Sequence, residues 1–134
     1  MIEMREKDFS SAITLKERAV SFLQLVAAGN VREAFQRYTV PEFYHHNPYF
    51  RGDAESLMTA MEENAAENPN KIFEVKHALE EGEIVAIHSL VKQNKEDIGA
   101  VVVHICRFQD ERIVEMWDVG QPIPENSPNE NGVF

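Results

Sequence analysis

At Pro69 the spacing of apolar residues changes from a period near 3.6 to a period near 2, which divides the chain into a helical first half and a sheet-forming second half. Ahead of that point Thr14-Leu15-Lys16-Glu17 has the form of a capping box. Leu15, Ala19, Phe22, Leu23 and Val26 then recur at helical spacing up to Gly29, where a left-handed residue ends the helix. Asn30 opens a second helix, with Glu33 at its third position and Ala34, Phe35 and Tyr38 turned inward, and Pro41 stops it. Asp53 or a neighbour opens a third, which carries Leu57, Met58, Met61 and Ala65 on one stripe and closes at Asn68-Pro69-Asn70. The segment PEFYHHNPYFRG between the second and third helices reads as a loop. Beyond Pro69, residues 72–80, 83–93, 99–109 and 112–121 alternate in polarity and are joined by short turns, the signature of an antiparallel meander. Helices followed by such a meander predict a single α+β domain over residues 1–134, with a loose arm at 1–11 and a Pro/Asn-rich extension at 122–134.

Composition removes several function classes. Thirteen basic residues against 23 acidic ones leave a net charge of −10, so the surface does not offer the clustered cations that neutralise phosphates, and nucleic acid is not an expected partner. The single cysteine, Cys106, forms no internal disulfide and belongs to no zinc-type spacing, which points to a reducing compartment. No stretch of about 18 consecutive apolar residues occurs and the start has no apolar run of signal length, so a soluble cytoplasmic protein with no membrane partner is expected. Neither GxGxxG nor GxxxxGK[ST] is present to cradle phosphate.

Because side chains alternate faces along a strand, register decides which polar groups enter the apolar face. In the second predicted strand Ile84, Ala86, His88 and Leu90 share a face, with His88 alone among apolar neighbours. In the third the set is Ala100, Val102, His104, Cys106 and Phe108, and His104 is its one imidazole. Val114, Met116 and Asp118 share a register in the fourth; an odd-length turn at Asp110-Glu111-Arg112 sets Asp118 opposite His104, whereas a two-residue turn breaks the pairing. A carboxylate beside an imidazole in a mostly apolar concavity suits proton transfer. The plain alternative is that each group satisfies a partner in the core. Three such residues on adjacent strands favour a pocket, for which Tyr38, Tyr44, Trp117, Met116 and Phe108 are candidate lining residues. His46, in the Tyr44-His45-His46-Asn47-Pro48 loop, is a further candidate for the acid/base set, against the reading that Asn47 merely caps the loop before Pro48. A metal site from His46, His88, His104 and Asp118 has no ligand spacing that demands it, so no metal is expected, and Cys106 reads as a buried, inert thiol.

The YHHNP loop, the EGE hairpin with VAIHS and the last strand IVEMWDVGQ together resemble the SnoaL-like polyketide cyclase family of the nuclear transport factor 2-like superfamily. The resemblance runs over residues 12–122, and its most specific pieces are His46-Asn47-Pro48 and the E-x-W-D of Glu115 to Asp118. It implies a cone in which three helices wrap a strongly bent antiparallel sheet of four or more strands around a pocket, usually in a homodimer. It also implies that Asp118 is the acid/base, assisted by His104 and His46, whereas His88 is a candidate pocket residue from strand register alone. The implied chemistry is cofactor-free: Asp118 takes a proton next to a carbonyl, an imidazole holds the enolate oxygen, and an intramolecular aldol closes a ring. Three positions depart from common family patterns, since many non-cyclase relatives carry Asp in place of His104 and His in place of Met116, and a glutamine is common where this chain has His45. Two function classes follow, an enzyme acting on a small apolar carbonyl compound and a non-catalytic ligand-binding domain. A third is a dimerisation module whose cone is plugged by Phe43, Tyr44, Phe50 and Phe108. Dimerisation is expected from apolar residues assigned to the convex face, Val85, Ile87, Val91, Val101, Val103 and Ile105.

Overall fold

The computed structural model describes residues 13–134, so the arm expected at 1–11 lies outside the described residues. Helix α1, Leu15–Ala27, begins at Thr14, whose side chain accepts a hydrogen bond from the Glu17 main-chain N–H at 3.0 Å. It ends in a left-handed Gly29 (φ 93°), after which Asn30 N–H reaches back to the Leu25 carbonyl. Helix α2 spans Val31–Tyr38, and Asn30 precedes it without a side-chain capping bond. Helix α3, Ala54–Glu67, is capped by Asp53, which accepts from Ser56 N–H at 2.9 Å. No helix among the described residues is long and apolar enough to cross a membrane.

Between α2 and α3 the expected loop contains a strand, β1, over Thr39–His45. Strands β2 (Ile72–Glu81), β3 (Ile84–Lys92), β4 (Ala100–Gln109) and β5 (Arg112–Pro122) form the predicted meander, and β1 adds to it in parallel beside β5, giving the order β1-β5-β4-β3-β2. The helices pack on one face of this open, curved sheet. An edge-to-face ladder of Phe22, Phe35 and Phe43, with ring centroids 5.1 and 5.3 Å apart, joins α1, α2 and β1 at the centre of the core. Leu57 from α3 and Val85, Ile87, Cys106, Phe108, Ile113 and Met116 from the sheet complete it.

One of the expected registers changes. The inward residues of β3 are Val85, Ile87 and Ser89, all 0% exposed, so the face assigned to Ile84, Ala86, His88 and Leu90 is the outer one. Both faces of this strand are apolar, and the parity is set by the helices that pack on it rather than by hydrophobicity. Val85 and Ile87 therefore do not belong to a dimerisation surface. The outer face instead offers Leu79 and Val119, 66% and 64% exposed. On β2 the register shifts between Val75 and His77, which moves His77 to the outer face opposite His88. The C-terminal extension runs beyond β5 without helix or strand and brings the Phe134 ring to 5.2 Å from that of His88.

Gly99 fixes the turn into β4. Its φ is 90°, and a Cβ there would sit 2.8 Å from the Val91 carbonyl oxygen and from the Lys92 side chain. Gly99→Ala is expected to cost about 1–3 kcal/mol through backbone strain, with the clash in addition. Gly82→Ala, where φ is positive but nothing lies within 4 Å, is the milder control. Thermal melts compare the two, and equal melting temperatures would contradict the assignment.

Candidate active site

The β4–β5 hairpin determines whether the two predicted acid/base residues meet. Its turn is the two-residue kind, Asp110-Glu111, both with positive φ (50° and 67°), and Gln109 pairs with Arg112. That turn alone would misalign His104 and Asp118. A bulge at Val114 inserts one residue between the Phe108–Ile113 and Arg107–Glu115 pairs, and beyond it His104 and Asp118 are direct cross-strand partners. The pairing expected from an odd-length turn is thus reached by a different route.

Asp118 stands at a junction. Behind it lies a cavity of only about 30 Å³, lined by His104, Met116, Phe22, Leu23, Val26, Phe35, Leu57 and Met61. That is room for about one or two water molecules, so the interior of the cone is nearly filled. In front lies an open groove of about 510 Å³, bounded by Asn47, Pro48 and Tyr49 on one side and by Ala100, Val102, Val119, Gly120, Gln121 and Pro122 on the other. Asp118 borders both spaces. Its Oδ2 accepts a hydrogen bond from Asn47 Nδ2 at 2.8 Å.

His104 Nδ1 is shut from solvent and has no hydrogen-bond partner. Burial lowers the pKa of this imidazole from its ordinary value of 6.5, against an opposing pull from the Asp118 charge. The folded chain therefore holds His104 neutral, while the unfolded chain protonates first as the pH falls below about 6.5. This part of the stability is complete above that pH and is lost on acidification, at no more than about 1.4 kcal/mol per pH unit for one proton. Melting curves between pH 7.5 and 5.5 are expected to fall less steeply for His104→Gln than for the wild type; parallel curves would contradict this. Burial also pushes the Cys106 thiol up to about 12, which leaves it protonated and unreactive.

The other candidates lie elsewhere, and strand geometry explains why. In β1, Phe43 and His45 are buried, so Tyr44 and His46 point to the opposite, outer face. There His46 Nε2 donates to Glu115 Oε2 at 2.7 Å and its ring stacks on Trp117 at 5.1 Å. Arg107 binds the other Glu115 oxygen at 2.8 Å and reaches the Tyr44 hydroxyl at 3.3 Å. The hydrogen bond from His46, followed by that from Arg107, holds the Glu115 carboxyl below its usual range. His46, Tyr44 and Trp117 thus form an outer-face network, with their side chains on the opposite face of the sheet from that of Asp118. His88 is also on the outer face, its Nδ1 2.9 Å from that of His77. Tyr38 lies beside Ser21, Gln24 and Leu25 on the helical side, Phe108 is buried in the core, and Met116 lines the inner cavity. From the sequence alone Asn47 is accounted for as a loop cap. It does accept from Tyr49 N–H at 3.0 Å, and its position in the HNP motif was the signal for its second bond, to Asp118.

A second groove of about 460 Å³ lies between α2, β1 and α3, lined by Phe35, Val40, Pro41, Met58, Arg32 and Arg112 among others. It holds no acid/base pair. Arg32 is engaged by Glu55 and Glu62, and Arg112 donates to the Gln36 and Thr39 carbonyls. Among the described residues no cluster of three or more His, Cys, Asp or Glu is placed to hold a metal ion.

The family model for the SnoaL-like domain matches residues 19–116. No curated protein matches the chain. Among solved structures, a candidate polyketide cyclase from Acidithiobacillus ferrooxidans is 21% identical, with a TM-score of 0.68 over 82% of this chain and 89% of that one. IdmH, a candidate polyketide cyclase from Streptomyces antibioticus, is 15% identical, with a TM-score of 0.67 over 81% and 93%. An NTF2-like protein of unknown function from Cytophaga hutchinsonii is 18% identical, with a TM-score of 0.66 over 82% and 92%. At these identities the likeness carries the fold.

Proposed function

The chain belongs to the SnoaL-like domain family, and on that premise we propose that it is an acid/base enzyme acting without a cofactor on a small, uncharged, largely apolar carbonyl compound. The observation that supports this is the cross-strand pair of Asp118 and a buried imidazole nitrogen with no partner, at the junction of an apolar interior and an open groove. The substrate's carbonyl end enters beside His104 and the rest lies in the groove. Asp118 takes a proton from the carbon next to the carbonyl, and the neutral His104 ring, with hydrogen on Nδ1, donates to the oxygen on which charge develops. The proton then returns from Asp118 to the product, so nothing is oxidised or reduced. The net charge of −10 favours neutral over anionic substrates. An aldol ring closure, an isomerisation and a dehydration all begin with this step.

The test is exchange of α-hydrogens for deuterium in D2O, followed by NMR for a panel of neutral ketones that includes 2-acetylnaphthalene. Acceleration over buffer is expected. Binding without exchange for any member would replace this reading with that of a ligand-binding domain, which the open groove also suits. A second copy on the outer sheet face, over Leu79, Val119 and the half-buried Val101, Val103 and Ile105, is part of the same reading. A monomer in light scattering at micromolar concentration would remove that part.

A further inference from the structure

We propose that Asn47 is a positioning residue for Asp118, and that the buried His45 ring acts through Asn47 as the strut that holds it. This rests on Asp118 being the base.

The orientation of the Asn47 amide follows from its partners. Tyr49 N–H can only donate, so the group it meets at 3.0 Å is Oδ1, and the NH2 end necessarily faces Asp118 Oδ2, 2.8 Å away. His45 settles where Asn47 sits. The Asn47 main-chain N–H donates to His45 Nδ1 at 3.1 Å, which leaves the ring's hydrogen on Nε2, and Nε2 donates to the Arg51 carbonyl at 2.7 Å. The His45 main-chain N–H closes the same loop onto the Gly52 carbonyl at 3.1 Å. With His45 only 5% exposed, the ring spans the 45–51 loop from inside.

Asp118 is thereby gripped by one oxygen, in a charge-assisted bond that fixes the carboxylate's rotation and leaves Oδ1 for the substrate. Without Asn47 the carboxylate turns freely, and the orientation on which proton transfer depends is lost.

Asn47→Ala is expected to slow deuterium exchange into 2-acetylnaphthalene on the order of 10–100-fold in kcat with little change in KM. His45→Gln should lose less, and the double variant should be no slower than Asn47→Ala alone, because His45 acts through Asn47. One readout needs no substrate: in the NMR spectrum of the full chain, the Asn47 side-chain NH2 resonances should move on Asp118→Ala while the fold is retained. Resonances that do not move, an unchanged kcat in Asn47→Ala, or additive losses in the double variant would each overturn the proposal. Should the wild type exchange no ketone, the reading of Asp118 as a base fails, while the NH2 resonances still decide whether Asn47 holds Asp118.

Discussion

Asp118→Asn is expected to lower ketone α-hydrogen exchange by roughly 10²–10⁴-fold, the usual contribution of a positioned general base. The substitution keeps the volume of the side chain and an oxygen to accept from Asn47 Nδ2, so the loop and the β4–β5 hairpin have no reason to rearrange. It removes only the basic oxygen. The melting temperature should therefore stay close to that of the wild type, and ketone binding should change far less than turnover. Unchanged exchange in a folded Asp118→Asn protein would dispose of the catalytic assignment.

The second large effect concerns the interior. Phe22 is 1% exposed, stacks edge-to-face on Phe35 and lines the small space behind Asp118. Phe22→Ala removes a ring that neighbouring side chains only partly replace, at an expected cost of about 3–5 kcal/mol. For a domain of this size that is a fall of roughly 10–20 °C in melting temperature. The void it leaves is apolar, so saturation with benzene should raise the melting temperature of the variant more than that of the wild type. A cost below about 1 kcal/mol would mean that the site collapses freely, and the account of a nearly filled cone would need revision.

Most of the fold was legible because its signals are local. The Thr14 and Asp53 caps, Gly29 and the alternation after Pro69 each act within a few residues and delimit α1, α3 and the meander. What escaped depends on distant partners. β1 is a short strand containing Pro41, and it becomes a strand only by pairing with β5, far along the chain. Its alternation then sends His46 to the outer face, against the role that the family resemblance implied. The parity of β3 was equally illegible, since Val85 and Ile87 compete with Ala86 and Leu90 on hydrophobicity alone. The pairing of His104 with Asp118 is legible from strand register, although the turn has two residues instead of an odd number and the Val114 bulge restores the pairing. The second role of Asn47 is not legible in the sequence because an asparagine before proline already has a local explanation, which the structure shows to be true and incomplete.

The most direct test of the central claim, that a small carbonyl compound binds at the mouth beside Asp118, is a backbone-amide NMR titration with 2-acetylnaphthalene. Saturable shifts at Asn47, Tyr49, Val102 and Gly120, on both walls of the groove, are the predicted result. Shifts confined to Phe35, Val40 and Met58, in the groove between α2 and α3, would contradict it.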